Sequence, residues 1–312
     1  YYYIPDDWYS EAFHSSFRQE YNLSVSGGRD RLNYYGSVGY LNDGGIVDNS
    51  GFERYTARIN VDWQARPWMK VSTSMSYAHS DSRTASYSST YGSSGNIFYI
   101  TNMMAPIYPL YVRDAEGKIM YENGMKVYDS NQTNFVRPAF VGNAVRDNEV
   151  NRRQNYSDFI SGKWGVVLTP IRGLSITANV GLTNENSRYN ALYSRFGSQS
   201  SIDGLAYVSH DRTFAVNNQY LAEYKTDFYG SLHSLNMLAG YEIYKYKEQF
   251  LEGQNDHLFN PFIGELGNAD GTSGRQTGGA AANHDQIIHA EHLPWSLLPA
   301  YSCRHDPAES LW

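Results

Sequence analysis

The chain is 312 residues long with a formal net charge of −7 at pH 7; 18% of its residues are charged and 15% are aromatic. With a mean hydropathy of −0.56, Ser, Asn, Gly, Thr and Gln must fill many polar positions where a soluble protein usually places Lys and Glu. The acidic balance gives no electrostatic case for nucleic acid, the single Cys303 excludes an intrachain disulfide framework, and no apolar run reaches the ~18 residues of a membrane-crossing helix.

In chain order, residues 1–18 read as an aromatic, turn-rich lead-in with no firm element. The opening YYYIPDDWYS lacks the basic stretch and apolar core of a secretory signal, so an outer-membrane reading expects further sequence upstream. From Gln19 to Ser80 side chains alternate with a period of two. Tyr21, Leu23 and Val25 oppose Asn22, Ser24 and Ser26; Tyr55, Ala57, Ile59, Val61 and Trp63 oppose Arg54, Thr56, Arg58, Asn60 and Asp62; Met69, Val71, Met75 and Tyr77 oppose Lys70, Ser72, Ser74 and Ser76. This alternation predicts strands over 19–27, 33–42, 54–63 and 68–79. Residues 81–156 break the pattern, with a short helix expected near 96–104 and a small hairpin about Glu116 and Gly117. Strands resume over 157–168, 174–183, 212–226 and 232–245, with a polar connection over 184–211.

Short turns near 29–32, 64–67, 169–173 and 227–231 alternate with long connections at 43–53, 80–156, 184–211 and after 245. An antiparallel ribbon sends alternate connections to opposite ends, so one rim carries tight turns and the other large loops. Strands of about ten residues, this asymmetry and aromatics near strand ends (Tyr34, Tyr40, Tyr55, Trp63, Trp68, Tyr77) are features of transmembrane β-barrels. The expected fold is therefore all-β: an antiparallel transmembrane barrel segment of about eight long strands. A soluble extracellular carbohydrate-binding β protein is the competing reading, and a passive porin or adhesin-like barrel is another. The polar, Gly-rich residues 246–312 read as an irregular loop, with the part after about 283 resembling an aberrant or truncated tail.

The text FRQEYNLSVSGG (17–28), NYYGSVGYLNDGGIV (33–47), FERYTARINVD (52–62) and WMKVSTSMSY (68–77) resembles the barrel of SusC/RagA-family TonB-dependent outer-membrane transporters of Bacteroidetes. DDWYSEAF (6–13) resembles the family's Asp-Trp segment before that strand, and HSLNMLAGYE (233–242) a later strand pair. The resemblance implies an importer of glycans, oligosaccharides or peptides in the cell outer membrane. It implies a SusD-like lipoprotein partner, surrounding outer-membrane lipid, and coupling to TonB through a plug domain not visible in this chain. It also implies a division into a periplasmic-side lead-in (1–18), a barrel segment (19–245) with extracellular loops at 80–156 and 184–211, and an extracellular remainder (246–312).

Motifs for chemistry are weak. His289, Glu291 and His292, with His284 nearby, do not form HExxH. Scattered loop carboxylates supply no defined pair for glycoside cleavage, and no GxSxG elbow or phosphate loop occurs. No enzyme, cofactor or metal is expected. Arg54, Arg58, Asn60 and Asp62 share the face opposite the apolar stripe, which in a barrel is the lumen; they are expected to balance lumen charge and face a plug, with direct contact to substrate as the alternative. The loop aromatics Tyr87, Tyr91, Phe98, Tyr99, Tyr108, Tyr111 and Tyr121 are candidates for contact with an extracellular ligand or lid, or for anchoring their own loop.

Overall fold

The computed structural model describes residues 4–85, 96–122, 124–129, 142–197, 203–228, 233–270, 275–277 and 282–284. Eight long strands form one antiparallel sheet in simple up-and-down order: β1 (Arg18–Arg29), β2 (Leu32–Gly44), β3 (Gly51–Arg66), β4 (Met69–Arg83), β7 (Arg152–Ile171), β8 (Leu174–Tyr193), β9 (Leu205–Phe228) and β10 (His233–Asp256). A two-stranded hairpin, β5 (Tyr121–Glu122) and β6 (Met125–Lys126), lies apart. Short β11 (Arg275–Thr277) and β12 (Ala282–His284) pair along the free edge of β10, offset from each other by one residue of register. Residues 285–312, with Cys303 and the HAEH segment, lie outside the described residues, as do Tyr87 and Tyr91.

All eight expected strands are present, but the later ones are much longer. β8 runs to Tyr193 rather than 183, β9 starts at Leu205 rather than 212, and β10 continues to Asp256 rather than 245. The expected 184–211 connection therefore shrinks to 194–204, and strand structure extends into the expected irregular 246–312 segment. The reason is pairing. Asn184, Asn186 and Arg188 are polar, yet each has a register partner on both neighbouring strands, so the ladder continues after the apolar alternation ends. β9 and β10 have 24 residues each, over twice the ~9–11 a tilted strand needs to cross a bilayer.

The two rims differ as expected. Tight turns fall at Asp30–Arg31, Pro67–Trp68 and Arg172–Gly173; the long connections gather at the other end. Asp30 and Gly173 take positive φ (45° and 87°). An added Cβ on Gly173 would sit 2.3 Å from the Lys225 carbonyl oxygen, so glycine alone fits there.

One face of the sheet is apolar and uncovered: Leu23 is 71% exposed and Ile59 57%. The apolar stretch drifts across the sheet. From Leu23, successive register partners are Val38, Ala57, Tyr77, Ile160, Asn184, Phe214 and Lys247. On β10, however, the apolar stretch is Met237 to Ile243, centred about seven positions from Lys247. A drift of about one residue per strand, at ~3.3 Å per residue and ~4.8 Å between strands, means that a level band crosses strands tilted by about 35°. That is the tilt of barrel strands.

Dry packing lies at the long-loop rim instead. α1 (Trp8–Ala12), α2 (Ile97–Met103) and α3 (Ala144–Val150) bury Trp8, Val47, Ile97, Ile100, Leu110, Tyr111 and Ala144 in one cluster. The lead-in therefore sits with the long loops, not on the tight-turn side where it was expected. Strand direction explains this: Arg18 pairs with Asp43 at the loop end of β2, so the chain enters β1 from that rim.

Candidate functional site

The polar face and the rim cap are the two regions able to meet a solute. On the polar face, Arg54, Arg58, Asn60 and Asp62 occupy alternate positions of β3 and face Ser80, Ser76, Ser74 and Ser72 of β4. Ser74 Oγ donates to Asn60 Oδ1 at 2.7 Å, and Lys70 Nζ lies 3.5 Å from Asp62 Oδ2. Arg54 and Arg58 are exposed and have no ion pair among the described residues. Small Ser and Thr side chains leave room beside them. Farther round the sheet the same face turns acidic: Asn217 and Gln219 both donate to Glu242 Oε1, at 2.7 and 3.1 Å, and Glu185, Asp211 and Glu248 share that face by register. The wall is thus basic on β3 and acidic on β8–β10.

The cap is assembled by three consecutive residues of the lead-in. Asp6 Oδ2 accepts from the Leu110 and Tyr111 amides at 2.7 and 3.3 Å, while its Oδ1 pairs with Arg113 Nη2 at 2.5 Å. Asp7 caps α1, accepting from the Tyr9 and Ser10 amides at 3.1 and 3.2 Å. The Ser10 hydroxyl bond first, then these amide bonds, hold its carboxyl below the usual carboxylate range. Trp8 is 2% exposed and donates from Nε1 to the Tyr108 carbonyl at 2.9 Å. Asn143, fully buried, bridges the Leu110 and Asp129 carbonyls, each at 3.1 Å. Asn49 and Asn148 tie the β2–β3 loop to α3 through the Asn148 and Asp48 carbonyls, each at 2.7 Å.

The described loop aromatics divide between these roles. Tyr111 is 2% exposed; its hydroxyl donates to Glu11 Oε2 at 2.7 Å and accepts from Lys126 Nζ at 3.1 Å. Burial first, then the Glu11 bond, pushes that phenol far above its ordinary pKa. It anchors its own loop and offers no surface to a ligand. Tyr99 and Tyr108 pack against the same cluster. Phe98, 48% exposed with its ring 5.5 Å from that of Phe13, and Tyr121, 63% exposed, are the two presented to solvent.

Beside the cap a cavity of about 210 Å³ is lined by Lys126, Tyr128, Arg146, Glu149, Val150 and Phe196, among others. It is smaller than the ~300–1,000 Å³ of ordinary ligand sites, so it cannot engulf an oligosaccharide. Tyr128 donates to Glu149 across its wall. Burial, aided by the Asp48 and Glu11 charges against the opposing pull of Lys126, raises the Glu149 carboxyl above its usual range. Among the described residues no group of three or more His, Cys, Asp or Glu side chains could hold a metal ion.

No protein-family model matches the chain. It is similar to TonB-dependent receptor P26 of Formosa agariphila, 23% identical over 281 residues, which covers 86% of this chain and 26% of that protein. It is also similar to TonB-dependent receptor SusC of Bacteroides thetaiotaomicron, 38% identical over 55 residues, covering 18% of this chain and 6% of that protein. The fold matches a structure of the RagAB peptide transporter with TM-score 0.70 at 21% identity, covering 90% of this chain and 30% of the matched chain. The RagAB peptide importer in the "open-open" state gives 0.67 at 22% identity, covering 91% of this chain and 30% of the matched one. The chain spans about a quarter of the length of the P26 receptor.

Proposed function

We propose that this chain, SusC/RagA-like in sequence and fold, serves as wall and outer rim of a TonB-dependent importer in the outer membrane. The carrying observation is the uncovered apolar band. Its one-residue drift per strand corresponds to a tilt of about 35°, and tight turns lie on one side of it and large loops on the other. The division of labour follows from the two faces. The apolar face meets lipid, and the polar face, with Arg54, Arg58, Asn60 and Asp62, lines the lumen against a plug. The cap and the described parts of the connections at 84–151, 194–204 and 257–270 form the extracellular mouth.

The cargo in this reading is an oligosaccharide or a peptide, and a SusD-like lipoprotein closes over the mouth. Similarity of the fold to the RagAB peptide transporter supports the peptide class; the oligosaccharide class rests on the SusC/RagA-family resemblance of the sequence. Phe98 and Tyr121 are the described aromatics that would touch cargo or lid; Tyr87 and Tyr91 belong to the same loop. The segment performs no covalent chemistry. Passage is gated, and the controlling quantity is how differently the open and closed states hold the cargo.

The test is energy coupling. Cells carrying the full-length receptor should accumulate labelled oligosaccharide or peptide only while TonB is present and the inner membrane is energised. Accumulation that survives collapse of the proton gradient would reject the importer in favour of a passive barrel.

A further inference from the structure

The apolar face of β8–β10 ends, on the long-loop side, in a run of basic residues. On β10, Lys245 and Lys247 follow Ile243 in phase; on β9, Arg212 and His210 precede Phe214 in phase; on β8, Arg188 lies beyond Leu182 on the same face. Register makes these neighbours. Arg188 is opposite His210, Phe214 is opposite Lys247, and Arg212 is opposite Gln249, hence diagonal to Lys247. Such opposite and diagonal side chains lie within about 8 Å of one another. All five are exposed. Glu265 neutralises Arg188 at 2.7 Å, and His210 contacts Asn186 at 2.7 Å. Arg212, Lys245 and Lys247 have no ion-pair partner among the described residues.

The acids of these strands lie on the other face. Glu185, Asp211, Glu242 and Glu248 all alternate away from the basic run. Like charges side by side on a sheet repel unless a counter-charge arrives, and here none comes from the strands themselves. The placement, one step beyond the apolar band, is the level at which a bilayer presents its headgroups.

Building on the membrane reading above, we propose that Arg212, Lys245 and Lys247 form a binding surface for the anionic phosphate headgroup of a membrane lipid in the leaflet on the long-loop side. The acyl chains lie along Phe214, Val216 and Ile243, and the phosphate sits at Lys247, flanked by Arg212 on one side and Lys245 on the other. The site would fix the depth of this wall in the bilayer and retain anionic lipid beside it.

The full-length receptor in neutral detergent is titrated with phosphatidylglycerol, with phosphatidylcholine of the same acyl chains and with inorganic phosphate. Bound molecules are counted by native mass spectrometry. Phosphatidylglycerol should bind at least about tenfold more tightly than phosphatidylcholine, and inorganic phosphate more weakly than either. Joint replacement Arg212→Gln, Lys245→Gln and Lys247→Gln should abolish the preference, while Lys70→Gln with Lys163→Gln on the opposite face should leave it intact. An undiminished preference in the triple variant overturns the proposal, as does an equal loss in the opposite-face variant. Inorganic phosphate binding as tightly as phosphatidylglycerol overturns the lipid as occupant. If the triple variant does not fold, salt supplies the check on the unmodified receptor: a preference that ignores ionic strength is not electrostatic and overturns the proposal. A receptor that binds neither lipid and stays monodisperse without detergent sinks the membrane reading itself, a separate result.

Discussion

Replacing Asp6 with Ala should detach the rim cap while leaving the sheet paired. Three bonds converge on this carboxylate: the Leu110 and Tyr111 amides and the Arg113 guanidinium. Asp6 is 6% exposed and the Arg113 side chain 20%, so water replaces little of what is lost. An orphaned buried donor costs about 1–3 kcal/mol, and removing one partner of a buried ion pair costs about 3–5 kcal/mol. These overlap, so the total is about 3–5 kcal/mol. At about 1.4 kcal/mol per factor of ten, local opening of the cap should rise by about two to three and a half orders of magnitude. Hydrogen exchange resolved by residue is the assay. The Leu110 and Tyr111 amides and the helix α2 and α3 amides should lose protection by that factor. The ladder amides of β3, β4 and β7 should not. Asp6→Asn keeps one acceptor and should cost less, about 1–2 kcal/mol. Leu110 and Tyr111 amides exchanging within about threefold of wild type would refute the reasoning, as would equal loss across the strands.

Two further outcomes follow from the same geometry. Ile59→Arg, at an uncovered position of the apolar face, should destabilise the receptor by about 2–4 kcal/mol in a bilayer, measured by denaturant unfolding from vesicles; Glu53→Arg, nearer the loop rim, should cost about 1 kcal/mol or less. Burial favours the protonated form of Glu149, so the folded cap binds a proton more tightly than the unfolded chain. Its contribution is therefore fully present below the unfolded carboxyl pKa of about 4.3 and is lost as pH rises through the higher folded value. Cap protection measured by exchange, corrected for intrinsic rates, should strengthen on acidification across that window, and Glu149→Gln should flatten the dependence.

The sequence makes the sheet legible where its two faces differ in polarity. Leu174, Ile176, Ala178, Val180 and Leu182 announce β8. Beyond Leu182 both faces turn polar and the alternation vanishes, although backbone pairing carries the strand on to Tyr193. The same masking hid the start of β9 and the end of β10. The helix expected near 96–104 is α2, and the hairpin about Glu116 and Gly117 is closed by the Asp114 amide on the Lys118 carbonyl at 2.9 Å. α3 left no signal, because most of its seven residues are buried by the fold rather than arranged as an apolar stripe. Loop aromatics were visible as a group, but composition cannot separate buried Tyr111 from exposed Tyr121; only the partners of each side chain do. Asp6, Asp7 and Trp8 stood out as a motif while their task stayed hidden, since their partners lie about a hundred residues away. In the sequence the basic run shows only as the phase of Lys245 and Lys247 with Ile243; register with Arg212 is what makes it a patch.

That distance between Asp6 and its partners also orders assembly in time. Every pair among the eight long strands is a hairpin between chain neighbours except β4 with β7, so most pairings close small loops. The contact of Trp8 with Tyr108 spans 100 residues and that of Asp6 with Arg113 spans 107, and contacts that distant are slow to find. They become cheap only after β1 to β7 have zipped and brought both ends to one rim. The cap thus forms after those strands have paired, and its protection from exchange would serve as a clock for completion of that part of the wall.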